Sequence, residues 1–304
     1  MATRRKMVVT GGAGFIGSNL TNALVARGDE VHVVDDLSGG KRSQVHTDAV
    51  FHHTDVCNLA ELALIVRGAD TVFHLAALPR VQYSIEHPRE TNETNVTGTL
   101  NVLTAAKDGN VRRVVYSASS SAYGDQETMP LVETMPACPL SPYGLQKYIG
   151  ELYCRVFSTV YGLETVSLRY FNVYGKNQDP DGAYALVIGK FLKQRAEGTP
   201  LTITGTGEQT RDFTHVQDVV RANILASESP TVGKGEVLNI GAGRNSSINK
   251  LAELIGGPVE YVPARLEPMH TLADTTYAKE LLGWEPTVTL ENGIKELLGA
   301  WGIK

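Results

Sequence analysis

Cysteine is scarce in this chain. Cys57, Cys138 and Cys154 are the only three in 304 residues, an odd number with no metal-ligand spacing, so they read as free thiols. His52 and His53 adjoin each other, but neighbouring side chains on a strand point to opposite faces, and no metal site is expected. No apolar run reaches the roughly 18 residues of a membrane span. The basic start, Met1-Ala-Thr-Arg-Arg-Lys6, leads into Met7-Val-Val-Thr10, which glycines interrupt before a secretory core can form. A cytoplasmic protein with no membrane partner is expected. Positive charge is also in deficit: 28 Lys and Arg against 33 Asp and Glu leave a net charge of −5, which argues against a nucleic-acid footprint. Backbone N–H groups and a few arginines can still hold an anionic ligand.

What is present is an ordinary soluble composition, 42% apolar and 20% charged, long enough for a full core. Short β-branched runs at Met7–Thr10, Val31–Val34, Val50–His53, Thr71–Leu75, Arg113–Ala118 and Thr165–Leu168 read as strands. Helical patterns near 14–27, 58–67, 91–108 and 143–161 separate them. This alternation predicts an α/β fold, a parallel sheet covered by helices on both faces. Beyond residue 170, glycines and prolines punctuate shorter elements. The expected organisation is a first domain over 1–170 and a smaller C-terminal α/β lobe over 171–304, with 216–240 returning to the first.

Thr10-Gly-Gly-Ala-Gly-Phe-Ile-Gly17 follows a strand and opens a helix. Gly11, Gly14 and Gly17 allow a tight turn, close approach of a pyrophosphate, and close helix–strand packing. The phosphate charge would then sit on the unpaired N–H groups of the helix N-terminus. Asp35, 18 residues beyond Gly17, can accept hydrogen bonds from adenosine ribose hydroxyls and would repel a 2′-phosphate. NAD is therefore expected over NADP, although Lys41 and Arg42 lie near. Asp55 ends the third strand and could meet the adenine amino group. Ala76 and Ala77 leave room for a cofactor after the fourth.

Tyr143-Gly-Leu-Gln-Lys147 puts a phenol and an ammonium on one helix face. A cation there stabilises the phenolate and makes the tyrosine usable as a base near neutral pH. The pair follows a strand-like run ending in serines, Val114-Val-Tyr-Ser-Ala-Ser-Ser-Ser121.

These features, with Asn95 in Asn-Val-Thr-Gly-Thr, Tyr123-Gly124, Arg169-Tyr-Phe-Asn172 and Arg211-Asp-Phe-Thr-His-Val216, resemble the extended short-chain dehydrogenase/reductases. The likeness covers nearly the whole chain and is greatest to the NAD-dependent epimerase/dehydratase family and its nucleotide-sugar 4-epimerases. It implies a Rossmann doubly wound sheet with NAD held by Gly11, Gly14, Phe15, Ile16, Gly17, Asp35, Asp55, Val56, Leu75, Ala76, Ala77, Asn95 and Tyr170. It further implies that Tyr143 is the base, that Lys147 is its electrostatic partner and bonds the nicotinamide ribose, and that Ser119 bonds the sugar 4-oxygen. Ser121 would lie close by, Asn172 would contact the sugar diphosphate, and Arg211 would pair with its phosphates. Arg265 falls in a segment one residue shorter than the family's, so its phosphate role is open by one position. Tyr184 would line the sugar pocket. A homodimer through the helices near 91–108 and 143–161 is the family's expectation.

The family's 4,6-dehydratases need an Asp-Glu pair in the serine segment, and its UDP-glucuronate decarboxylases a glutamate. Ser119-Ser-Ser-Ala-Tyr-Gly124 has no acid, and C4 epimerisation needs none. Thr271 aligns with the family's gatekeeper position. Its small size favours UDP-GlcNAc and UDP-GalNAc, with UDP-glucose and UDP-galactose as further substrates. Pro79 stands where several hexose epimerases place a lysine, with Arg80 next to it. A UDP-glucuronate 4-epimerase, with Arg80 or Lys176 as the cation near C6, is the alternative. A non-catalytic NAD-binding sensor is a third reading.

Overall fold

The computed structural model describes residues 4–181, 186–264 and 268–303. Among them the main sheet has seven strands, all parallel, in the order β3-β2-β1-β4-β5-β6-β9. These are β1 Lys6–Thr10, β2 Glu30–Asp35, β3 Val50–His53, β4 Thr71–His74, β5 Arg113–Ser119, β6 Glu164–Tyr170 and β9 Lys234–Ile240. Strand alternation divides the core into two layers. Met7, Val9, Val33, Phe73, Val115 and Val166 face one side, where they pack with Leu20 and Leu24 of α1 (Phe15–Ala26) and Val219 of α8 (Val216–Glu228). Val8, Val34, Val72, Val114 and Tyr116 face the other. They meet Leu62 of α2 (Leu59–Val66), Val102 of α5 (Gly98–Asp108) and Cys154 of α6 (Pro142–Tyr161). A sheet covered on both faces explains why its strands read as near-continuous apolar runs.

The expected helix near 91–108 is not one piece. A short helix α4 (Pro88–Asn92), opened by Pro88, passes into a π-helical turn over Glu93–Thr97 before α5 begins. A further helix, α3 (Val81–Glu86), precedes it. Lys234–Ile240 pairs with β6, so the chain does return to the main sheet. The remaining elements pack beside it around Phe191, Leu192, Ile203, Leu251 and Ile294. They are α7 (Val187–Glu197), the parallel pair β7 (Leu201–Thr204) and β11 (Val259–Val262), the antiparallel pair β8 (Thr210–Arg211) and β10 (Ser246–Ser247), α9 (Ile248–Ile255) and α11 (Leu290–Ala300). Helix α10 (Thr276–Leu282) instead joins the first layer of the main core through Ala278 and Leu282. No helix of the described residues is long and apolar enough to cross a membrane.

Strand order reverses between β1 and β4, and ligand crevices of open α/β sheets form at the carboxyl ends of strands at such a point. A buried polar chain ties the two strand ends together there. Ala76 N–H donates to Thr10 Oγ1 (3.2 Å), and Thr10 Oγ1 meets His74 Nδ1 at 2.8 Å. His74 Nε2 lies 2.9 Å from Thr99 Oγ1, whose own proton goes to the Asn95 carbonyl at 2.7 Å. Because the Thr99 hydroxyl is already donating, Nε2 carries the imidazole proton and Nδ1 accepts.

Full burial pushes His74 down to about 3, below its ordinary value of 6.5, so it folds neutral. Its contribution to stability is complete above about pH 6.5 and is lost as pH falls toward about 3, by up to about 1.4 kcal/mol per pH unit. The stability gap between the wild type and His74→Gln, read from urea midpoints, is therefore expected to be wider at about pH 7.5 than at about pH 5. A gap independent of pH would contradict a neutral buried imidazole.

Candidate active site

The cleft at the switch point has a volume of about 450 Å³. At one end the glycine turn leaves no room for side chains. A Cβ on Gly11 would come within 2.7 Å of Ala76 N, and one on Gly17 within 2.1 Å of Gly11 O. Gly11 is also left-handed, with φ of 70°. Gly14 caps α1 without a side-chain hydrogen bond, so the first N–H groups of the helix face the cleft without an intrahelical acceptor. Asp35 is buried beside the turn. Its Oδ2 accepts from Ala13 N–H (2.9 Å) and its Oδ1 from Leu37 N–H (2.8 Å). Burial raises its pKa and these two donors oppose the rise. Each oxygen keeps a further lone pair for a ribose hydroxyl.

These residues fit a dinucleotide: a helix N-terminus for pyrophosphate, a carboxylate for the ribose diol, and no cradle that a side chain fills. Asp55, Val56, Leu75, Ala76, Ala77, Phe15 and Ile16 all line the same cleft. Arg42 instead stacks over Phe51 at 4.6 Å, and Lys41 pairs with Asp179 at 3.6 Å. Neither arrangement makes a dedicated 2′-phosphate site.

At the other end Ser119, Ser121, Tyr143, Lys147 and Tyr170 converge on the cleft. The α6 helix brings Tyr143 and Lys147 there. Ser141 caps it through Gly144 N–H at 3.1 Å, and Pro142 occupies the first turn, where the missing N–H costs nothing. Burial raises the Tyr143 phenol; the Ser119 hydroxyl and the Arg80 charge pull it back. Burial also pushes Lys147 down to about 8, while Cys154 and Glu151 oppose that fall. The expected direct help of Lys147 to the phenol takes a different form. Its Nζ donates to the Ser117 carbonyl at 2.8 Å and lies 5.1 Å over the Tyr116 ring. Ser119 Oγ donates to Ser121 Oγ (3.1 Å) and accepts from Ser121 N–H (3.2 Å). Tyr170 is held by Ser117 (3.1 Å) and by Asn223 (3.0 Å).

Asn95 sits behind the cleft wall. Its Oδ1 accepts from Leu78 N–H (2.8 Å), and its Nδ2 donates to Leu78 O (3.2 Å) and Gln146 Oε1 (2.8 Å). Asn172 does line the cleft, in a left-handed conformation with φ of 31°. Its Nδ2 reaches the Asp212 carbonyl and Thr271 Oγ1, each at 3.3 Å. The Thr271 hydroxyl also accepts from Asp212 N–H, a local capping role. Arg211 and Thr271 stand in this adjoining cluster rather than on the cleft wall, with Arg211 Nη1 donating to Thr210 O at 2.9 Å. Tyr184 and Arg265 lie outside the described residues. Lys176 is exposed and is not part of the cleft lining, whereas Arg80 is.

Sequence reasoning passed over Ser84, whose Oγ accepts the Tyr143 N–H at 3.0 Å. It also missed Gln146 and Asn177, and, although Gln178-Asp-Pro-Asp181 resembles a segment of epimerases acting on N-acetylated UDP-hexoses, not that residues 177–179 cross the cleft. Asn177 Nδ2 bonds Ser18 Oγ at 3.0 Å, and Gln44 Nε2 reaches Asn177 O at 3.4 Å. Gly40 packs on the glycine turn instead, where a Cβ would strike the Ala13 backbone at 2.7 Å.

The model of the NAD dependent epimerase/dehydratase family matches residues 7–241. A UDP-glucose 4-epimerase from Thermotoga maritima, solved with UDP-glucose, is 40% identical, with 95% of this chain and 96% of that one covered and a TM-score of 0.90. A UDP-N-acetylglucosamine 4-epimerase from Methanobrevibacter ruminantium, in complex with UDP-N-acetylmuramic acid, is 36% identical over 98% of this chain and 99% of that one, TM-score 0.92. A UDP-glucuronate 4-epimerase from Thermodesulfobacterium geofontis is 36% identical, covering 95% of this chain and 93% of its own.

Replacing Asp35 by Ala removes an acceptor from one buried and one half-buried N–H group, and with it the expected ribose contact. A loss of about 2–4 kcal/mol in stability and at least roughly tenfold weaker NAD binding are expected. Urea unfolding and titration calorimetry with NAD read the two effects separately; unaltered affinity would remove Asp35 from the cofactor site.

Proposed function

The chain belongs to the NAD dependent epimerase/dehydratase family, and on that premise we propose that it inverts C4 of a UDP-linked hexose with NAD as a recycled cofactor. The observation that carries this reading is the meeting of Ser119, Tyr143 and Lys147 in the cleft beside the glycine turn and Asp35. No acid in the serine segment supports elimination or decarboxylation.

In this reading Ser119 hydrogen-bonds the sugar 4-oxygen and Tyr143 takes its proton. Lys147 spends one of its three donors on Ser117 and keeps the others for a ribose hydroxyl. NAD, which the glycine turn and Asp35 would hold, would supply a reversible hydride acceptor for C4. Asn172 and Arg211 hold the diphosphate, so the 4-keto sugar can turn over about its phosphate linkage without escaping, and Tyr143 gives the proton back. Residues 1–170, with 216–240, hold the cofactor, and the rest of 171–304 closes over the UDP-sugar.

Thr271, small and next to Asn172, leaves space for a 2-acetamido group, so UDP-GlcNAc and UDP-GalNAc are the proposed pair, with UDP-glucose and UDP-galactose as further substrates. Arg80 in the cleft lining supports a second reading, epimerisation of UDP-glucuronate. A non-catalytic NAD sensor would have no use for the assembled Ser119, Tyr143 and Lys147.

We further propose a homodimer. Leu145, Leu152, Val156 and Val160 are exposed along one side of α6, an apolar stripe at helical spacing that a second copy would cover.

Incubation with UDP-GlcNAc and with UDP-GalNAc, followed by chromatography, is expected to reach one mixture from both sides. UDP-glucuronate in the same panel tests the second reading. Tyr143→Phe should lower kcat by about 10²–10⁴ and leave NAD bound; retained activity would refute the mechanism. For the assembly, sedimentation should show a dimer for the wild type and a monomer for Val156→Glu. Identical profiles would place the interface elsewhere.

A further inference from the structure

On the proposed reading that Tyr143 is the proton-transfer group, its phenol needs a positive charge close by, and among the described residues two cations, Lys147 and Arg80, line this end of the cleft. Lys147, one turn along the same helix, directs its ammonium to the Ser117 carbonyl and the Tyr116 ring. Arg80 comes from a different element. It ends the loop after β4 and stands at the N-terminus of α3, lining the same cleft as Tyr143 and Ser119. Its backbone is fixed relative to the tyrosine by a short relay. Ser84 N–H donates to Arg80 O at 3.0 Å, Ser84 Oγ donates to Val81 O at 2.6 Å, and the same Oγ accepts Tyr143 N–H at 3.0 Å. Ser84 is wholly buried. The start of α3 and the start of α6 therefore move as one.

We propose that Arg80 is a positioning residue for proton transfer, acting through Tyr143: its guanidinium supplies the positive charge that holds the phenol in reach of ionisation. The coupling is mutual. The Arg80 charge favours phenolate, and Tyr143 in turn favours charged Arg80 against the cost of its burial. Both residues are half-buried, so water screens the interaction less than it would between fully exposed groups. Asp179, from the segment that crosses the cleft, faces Arg80 and opposes its field, while also pairing with Lys41. The other groups around the pair are Ser119 and Tyr116 of the β5 end and Lys147 and Glu151 of α6. Among the described residues, Arg80 is the cation whose charge pulls the Tyr143 phenol down.

Tyrosinate absorbance, titrated on the NAD-loaded protein and on the protein stripped of NAD, tests this without any substrate. The step missing in Tyr143→Phe identifies the Tyr143 ionisation. Arg80→Gln is expected to raise that step by about one pH unit, a tenfold change in the proton equilibrium. Arg80→Lys keeps the charge and should move it by no more than a few tenths of a unit. Asp179→Asn sits at a half-exposed position and carries little folding risk. It frees the guanidinium field and should lower the step by a few tenths. A step unmoved in Arg80→Gln, an equal rise in Arg80→Lys, or a rise in Asp179→Asn would each overturn the proposal. Turnover by Tyr143→Phe would instead overturn the proposed function, so the two failures are separable.

Discussion

The cleft depends on a line of buried hydrogen bonds that runs through His74. An unpaired polar group in this position would cost about 1–3 kcal/mol, and each member here meets that cost with a partner on a different element. Thr10 ends β1, His74 ends β4, and Thr99 lies in α5. The line continues through the π-helical turn, where Asn95 grips Leu78 on one side and Gln146 of α6 on the other. Gln146 then donates to Thr91 at 3.0 Å. The glycine turn, the wall after β4 and the helix carrying Tyr143 and Lys147 thus share one polar frame. A π-helical turn is a local irregularity often found at functional sites; here it aims the Asn95 amide at both neighbours.

Beneath Lys147 a second frame balances charge. Glu151, one turn further along α6, meets Arg169 of β6 in a two-pronged ion pair of 2.9 and 2.7 Å, with both side chains buried. Arg169 also lies 4.4 Å over the Tyr123 ring. Such a pair is weak evidence for stability, because desolvation offsets much of the attraction, and stronger evidence for register. Its position matters for the lysine. Burial pushes Lys147 down to about 8, and Cys154 and the Glu151 carboxylate, fixed one turn away, oppose the fall.

Much of this was legible in the sequence, and the pattern of what was not is physical. The first six strands and the glycine turn are local features, written in alternation and in the small residues that a close approach requires. Asp35, Tyr143 and Lys147 could be placed at the cleft because each sits at a strand end or on a helix face of known period, and Ser119 through the resemblance around Tyr123-Gly124. Asn95 illustrates the limit: its position in the chain marks it, but only the fold shows that its amide faces Leu78 and Gln146 rather than the cleft. The break at Pro88 and the π-helical turn were hidden because the polar run Glu86–Asn95 carries no apolar periodicity in which an interruption could show. Ser84 lies 59 residues from the amide it binds, and Asn177 lies 159 from Ser18. No window along the chain can contain contacts of that separation.

The two ends of the site are built differently, and this bears on what can vary. The serine–tyrosine end is held by β5, α3 and α6 through short bonds to backbone, as in Lys147 to Ser117 and Tyr143 to Ser84. The far end is assembled from segments near 172, 210–212 and 269–273, joined at Asn172 and Thr271 by longer contacts of 3.3 Å. Asp212 anchors these segments by accepting N–H groups from Ala242, Gly243 and Ala273, and its own side chain is wholly buried. Groups mounted on regular elements keep sub-ångström geometry, while loops tolerate exchange of side chains. On the proposed function, chemistry at C4 is therefore common property of the frame, and the identity of the sugar is decided by a few loop side chains. The similar proteins bear the names of UDP-glucose, UDP-N-acetylglucosamine and UDP-glucuronate epimerases, and on the proposed function it is at these loops that this chain would choose among such sugars.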